Sequence, residues 1–101
     1  MYDPDLEIGS KTERALTAVG SERKRQERLK ETGKFKFTCA GIEMTPAEKF
    51  AVLGEEFGEV AREVLTQPDD AIAHDTKGSR EGLRSELIQV AAVAVAWVES
   101  L

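Results

Sequence analysis

Two clusters of oxygen-bearing side chains define the chemistry open to this chain: Glu55-Glu56-Phe57-Gly58-Glu59 and Glu86-Leu87-Ile88-Gln89. Residues three apart in a helix occupy neighbouring turns of one face, so Glu56 pairs with Glu59 and Glu86 with Gln89. Two such helices packed side by side would aim both pairs at one hard divalent cation. Magnesium takes oxygen ligands and keeps several of its own waters, which leaves room for a substrate phosphate. Phosphate chemistry is the expectation. The competing reading of Glu55, Glu56, Glu59 and Glu63 is a charged helix surface, because glutamate is a strong helix former. The second motif, placed just ahead of an apolar run, weighs against it.

The elements that must position these groups are helical. Residues 1–10 lack periodicity and carry Pro4 and Gly9, so they read as a flexible arm ahead of a single domain over 11–101. Residues 11–31 are helix-friendly, with Gly20 as an interruption and a fresh start near Ser21. Lys34-Phe35-Lys36-Phe37-Thr38-Cys39 alternates polar and apolar residues, but one short strand has no partner, so an ordered loop is expected. Thr45-Pro46-Ala47-Glu48 is a helix start, with a capping hydroxyl, proline at the first position and glutamate to close a capping box. Phe50, Leu53, Phe57, Val60 and Val64 then mark an amphipathic helix to about residue 65, stopped by Gln67-Pro68-Asp69-Asp70. A polar connection holding His74 and Lys77 follows, and a third helix runs from near Ser79 to the end. Its stripe is Leu83, Leu87, Val90, Ala94, Trp97 and Leu101.

On a helical wheel the second helix has its core stripe near Phe57 and Val64, with Glu56 about 80° and Glu59 about 140° to one side. The third centres near Leu83 and Leu101, with Glu86 about 60° and Gln89 about 120° to the same side. Glu86 thus falls at the core edge, where a half-buried carboxylate needs a positive partner or a metal. Residues 90–98 are apolar on nearly every face, more than three helices of one chain can cover. A homo-oligomer is expected, most simply a symmetric dimer. The fold class is all-α: a bundle of three to four helices per chain, completed by homodimerisation.

Composition narrows the functions. The chain has 101 residues, 41% hydrophobic and 33% charged, enough for one small globular domain. A net charge of −5 argues against a general nucleic-acid binder. The acidic start is unlike a signal peptide, and the nine apolar residues 90–98 fall short of the roughly twenty a membrane span needs. With the single cysteine Cys39 excluding an intrachain disulfide, a cytoplasmic location is expected. Cys39 and the distant His74 do not suggest a cysteine–histidine nucleophile. Seven of the fourteen Lys and Arg residues lie between Arg23 and Lys36. They form either a solvated face or a counter-charge for a triphosphate, with Arg25 and Lys34 as candidates. Gln26 has a donor and an acceptor for a base edge; Phe35 and Phe37 are expected in the core before any stacking role, and Trp97 in packing.

Glu55-Glu56-Phe57-Gly58-Glu59, 26 further residues and Glu86-Leu87-Ile88-Gln89 resemble the MazG-like, all-α nucleoside triphosphate pyrophosphohydrolases. That family's motif is Glu-Glu-x-x-Glu, a spacer, then Glu-x-x-Asp. The flanking Leu53-Gly54 and Val90-Ala91-Ala92-Val93-Ala94-Val95-Ala96-Trp97, with the upstream Glu22-Arg23-Lys24-Arg25-Gln26, are similar to short members from bacteriophages. The resemblance spans about residues 20–101. It implies a dimer, or a dimer of dimers, that binds magnesium (manganese as a substitute) and splits a nucleoside triphosphate into monophosphate and pyrophosphate. It implies metal ligands at Glu56, Glu59 and Glu86, with Glu55 beside them orienting a ligand or the attacking water. Gln89 stands where the family has aspartate; its amide oxygen can still bind a cation but adds no charge and cannot act as a base. Gln89 is also the feature favouring the alternative, a non-catalytic helical oligomer that binds a nucleotide or a protein partner.

Overall fold

A computed structural model of the chain describes residues 9–67 and 79–101, and within them the fold is three α-helices and no strand: α1 Ser10–Glu31, α2 Pro46–Leu65 and α3 Ser79–Glu99. The expectations placed on residues 1–8, His74 and Lys77 lie outside the described residues. None of the described helices is long and apolar enough to cross a membrane.

The α1 helix runs through Gly20 without a break, so the expected restart at Ser21 does not occur. A mid-helix glycine costs about 1 kcal/mol against alanine, too little to end a helix whose other residues favour it. Its inward side chains are polar: Arg23 and Gln26 are its buried residues. The helix closes on Thr32, whose N–H reaches the Arg28 carbonyl at 2.9 Å, and Gly33 turns the chain at φ 82°, a left-handed position that suits glycine.

The start of α2 is as its sequence demands. Thr45 Oγ1 accepts from the Glu48 N–H at 3.2 Å, Glu48 Oε1 accepts from the Thr45 N–H at 2.9 Å, and Pro46 opens the helix. The backbone N–H of Thr45, with its hydroxyl, holds the Glu48 carboxyl below its ordinary pKa. Thr45→Ala is expected to cost about 1 kcal/mol, visible as a lower urea midpoint with unchanged m-value.

The central element is α3. Both α1 and α2 pack against it and make no close backbone contact with each other. Small residues permit this: Ala92, Val93 and Ala96 are buried on α3, and with Cys39 they form the core against Ala40, Met44, Val52, Leu53 and Trp97. Near the start of α3, Gly82 faces the Glu63 carboxylate of α2: a Cβ there would lie 3.1 Å from Oε2, at the mobile end of that side chain. Polar ties fix the other end. Arg23 donates to both carboxylate oxygens of Glu99, at 2.7 and 3.2 Å, and Lys49, itself buried, donates to Ser100 Oγ at 2.8 Å.

The expected core stripes are displaced. Phe50, Phe57 and Val64 are 68%, 66% and 45% exposed, and the buried or half-buried positions of α2 are Lys49, Val52, Leu53, Glu56, Val60 and Glu63, with Ala61 beside them. On α3, Leu83, Val90, Ala94 and Trp97 of the expected stripe are half-buried, with Trp97 against the core, while Leu87 and Leu101 are exposed and the buried positions are Ala92, Val93 and Ala96. Periodicity marks a face that needs cover without saying what covers it. Within one chain, α3 covers the adjacent flank of α2, the flank that carries Glu56.

Candidate functional site

Because α1 and α2 stand apart across α3, a cleft of about 320 Å³ opens between them. Glu22, Arg25 and Gln26 of α1 line one wall and Val52, Glu55 and Glu56 of α2 the other. Gln89 and Val93 of α3 form the floor, and the 32–45 loop closes one end with Phe35, Phe37, Thr38, Cys39 and Met44. Phe35 and Phe37 are 39% and 37% exposed and line this space, so the expectation that they fill the core is corrected. Their separation by one residue in an irregular loop sets both at the cleft mouth; Lys36 Nζ lies 5.3 Å from the Phe37 ring centre.

The electrostatics centre on Glu56 and Glu86. Each has a carboxylate oxygen, Oε2, that is buried with no hydrogen-bond partner. Such groups are rare in folded proteins, since an unpaired buried charge is costly and is ordinarily met by a donor, a proton or an ion. Burial pushes the Glu56 carboxyl above its ordinary pKa, and the charges of Glu86, Glu59, Glu22 and Glu55 push in the same direction. Arg25 does not relieve this. It donates two hydrogen bonds of 2.8 Å to Glu22, whose side chain is 13% exposed. That pair holds the Arg25 guanidinium firmly charged, with a smaller contribution from Glu56.

The donor set can be tested against a cation. Among the described residues no three His, Cys, Asp or Glu side chains gather closely enough to hold a metal by themselves. Magnesium does not require that, because it commonly binds through one or two carboxylates and completes its shell with water and substrate phosphate. The orphaned oxygen of Glu56 in the cleft wall, that of Glu86 on α3, which lies outside the lining but near enough for its charge to act on Glu56, and the Gln89 amide on the floor are donors of the kind such an ion takes.

The remaining expected residues divide. Glu55 lines the cleft and is exposed; Arg25 and Gln26 also line it, the second buried. Glu59 lies outside the lining, exposed, with Arg62 Nη1 at 3.9 Å, and acts on the cleft through its charge on Glu56. Lys34 is exposed and lines no part of the cleft. Arg23 serves structure: besides Glu99 it binds Glu27 at 2.8 Å and Gln26 Oε1 at 2.8 Å. Cys39 packs in the core, where burial pushes its thiol up and away from nucleophilic use. Glu22 is a cleft residue that sequence reasoning does not single out. Its signal is the spacing of Glu22, Arg25 and Gln26, which lets them share one helix face.

No family model, curated protein or solved structure matches the chain.

Proposed function

We propose that this chain is a magnesium-dependent nucleoside triphosphate pyrophosphohydrolase of the MazG-like type, working as a homodimer on an intracellular nucleotide pool. The observation that carries the reading is the pair of orphaned, buried oxygens of Glu56, in the wall of a cleft that also holds Arg25, Phe35 and Phe37, and of the neighbouring Glu86. The acidic motifs supply the rest of the argument. Glu56 and Glu86 would hold the ion, with the Gln89 oxygen as a neutral third donor. Bound there, magnesium supplies charge neutralisation for phosphate oxygens and lowers the pKa of a coordinated water.

The chain's own groups then have distinct roles. Arg25, paired with Glu22 and lining the cleft, would meet a phosphate oxygen. Glu55, on the wall beside Glu56, would orient the attacking water and take its proton. Water adds at the α-phosphorus, the α–β anhydride bond breaks, and the pyrophosphate leaves with the bonding pair. Phe35 and Phe37 offer apolar surface to the base.

A second copy is the proposed cover for the exposed apolar residues of α2. Phe50, Phe57 and Val64 recur every seven residues, the repeat that packs one helix along another, and the chain's described helices leave them uncovered. Gln89 on the cleft floor favours a second reading, a nucleotide-binding protein without turnover.

The test is release of monophosphate and pyrophosphate from ribo- and deoxynucleoside triphosphates with magnesium or manganese. Both products are expected from at least one nucleotide, with loss in Glu86→Gln and about tenfold tighter metal dependence in Gln89→Asp, which restores a charged donor. Absence of turnover in wild type together with turnover in Gln89→Asp would establish the binding-protein reading. Absence in both would remove the hydrolase reading.

A further inference from the structure

Two polar side chains on the cleft wall are buried, Gln26 and Thr38, at 8% and 6% exposure. The Thr38 hydroxyl is engaged on both sides: it donates to Glu27 Oε2 at 2.9 Å and accepts from the Ala40 N–H at 3.4 Å. Gln26 is engaged on one side. Its Oε1 accepts from Arg23 Nη1 at 2.8 Å, and among the described residues its amide nitrogen has no partner. The orientation of that amide is fixed by chemistry, because a guanidinium has five donors and no acceptor. Only the oxygen of Gln26 can face it. Arg23 cannot turn away either, since Glu99 and Glu27 hold the rest of its fork at 2.7, 3.2 and 2.8 Å.

A free glutamine reads a base edge with one donor and one acceptor, which suits an exocyclic amine beside a ring nitrogen. Gln26, with its oxygen committed to a cation, has its N–H groups left to offer. We infer that Gln26 reads the nucleobase as a hydrogen-bond donor, so that the cleft selects bases with a carbonyl at the edge it meets. Uracil, thymine and guanine carry an oxygen where cytosine and adenine carry an amine. This deepens the nucleotide reading above and rests on it. Phe35 and Phe37 provide the flat apolar surface beside which that edge would lie.

Isothermal titration of the protein with dUMP, dTMP, dGMP, dCMP and dAMP, with and without magnesium, tests this without any turnover. dUMP, dTMP and dGMP, with an oxygen at that position, are expected to bind roughly tenfold more tightly than dCMP and dAMP, with an amine there. Gln26→Glu keeps an acceptor for Arg23 and presents a second acceptor oxygen in place of the amine, so the order should invert. Equal binding of all five by wild type, or an order unchanged in Gln26→Glu, overturns the inference and leaves the nucleotide reading standing. Failure of all five to bind under either condition overturns both. Should Gln26→Glu not fold, the wild-type order alone decides.

Discussion

Glu56→Gln is expected to lower kcat/KM for nucleotide hydrolysis by about 10²–10³-fold and to make the metal-free protein more stable. The two effects have one cause. In the folded chain the Glu56 carboxyl is raised by burial and by repulsion from Glu86, Glu59, Glu22 and Glu55. Between the ordinary glutamate pKa, about 4.3, and the raised folded value, the folded state binds more protons than the unfolded one. Stability therefore falls as pH rises through that window. The contribution is complete below the window and gone above it, where the charged Glu56 opposes the fold. Glutamine has nearly the same shape and no charge. It should raise the stability above that window, read as a higher Tm, and remove that downward slope with pH.

Magnesium gives the complementary measurement. At about 100 times its Kd, an ion bound only by the folded state adds roughly 2.7 kcal/mol. Wild type should show this rise in Tm and Glu56→Gln should lose most of it. A Glu56→Gln protein that hydrolyses nucleotides at the wild-type rate, or a wild-type Tm indifferent to magnesium, would sink the site.

The parts of this site legible in the sequence are those set by local rules. The capping box at Thr45 and Glu48 depends on four consecutive residues, and it forms as read. The half-burial of Glu86 follows from its angle to an apolar run one turn away. The wheel sets Glu56 on the correct flank of α2, although it centres the core on Phe57, which α3 does not cover. Apolar spacing along a helix marks positions that meet another helix of the same chain together with positions that do not. Lys49 illustrates the limit: its stem lies along the bundle end and its amine finds Ser100, a partner fifty-one positions away.

Arg23 shows the same limit more sharply. In the sequence it is one of seven basic residues in a stretch suited to phosphate. In the fold it belongs to Glu99, seventy-six positions on, and to Glu27. The hydrogen bond to Glu99 outweighs the cost of burial and keeps the Arg23 guanidinium charged. The Glu27 carboxyl is held low against the opposing effect of burial by hydrogen bonds from Arg23 and Thr38. No spacing rule links residues 23 and 99, so neither the anchor nor the locked amide of Gln26 can be read before the helices are assembled. The cleft inherits its shape from that tie: Arg23 fixes α1 to the end of α3, and the wall bearing Glu22, Arg25 and Gln26 is fixed with it.

Phe57→Glu is expected to convert a dimer into a folded monomer. Phe57 is 66% exposed within one chain, so its removal takes little from the monomer's own packing. In a two-fold interface each substitution counts twice. Withdrawing an aromatic side chain from an interface forfeits about 1.5–3 kcal/mol, and two copies together forfeit about 3–6 kcal/mol. That weakens dimerisation by at least about two orders of magnitude at 1.4 kcal/mol per factor of ten, before the cost of burying a carboxylate. Sedimentation of wild type and Phe57→Glu at matched concentration reads the change, and unchanged far-UV circular dichroism shows that the helices persist. Ile42→Glu is the control, since Ile42 is 92% exposed on the loop outside the Phe50, Phe57 and Val64 stripe. Its mass should stay that of wild type. If Phe57→Glu also leaves the mass unchanged, the stripe on α2 does not hold the two copies together, and the proposed dimer fails with it.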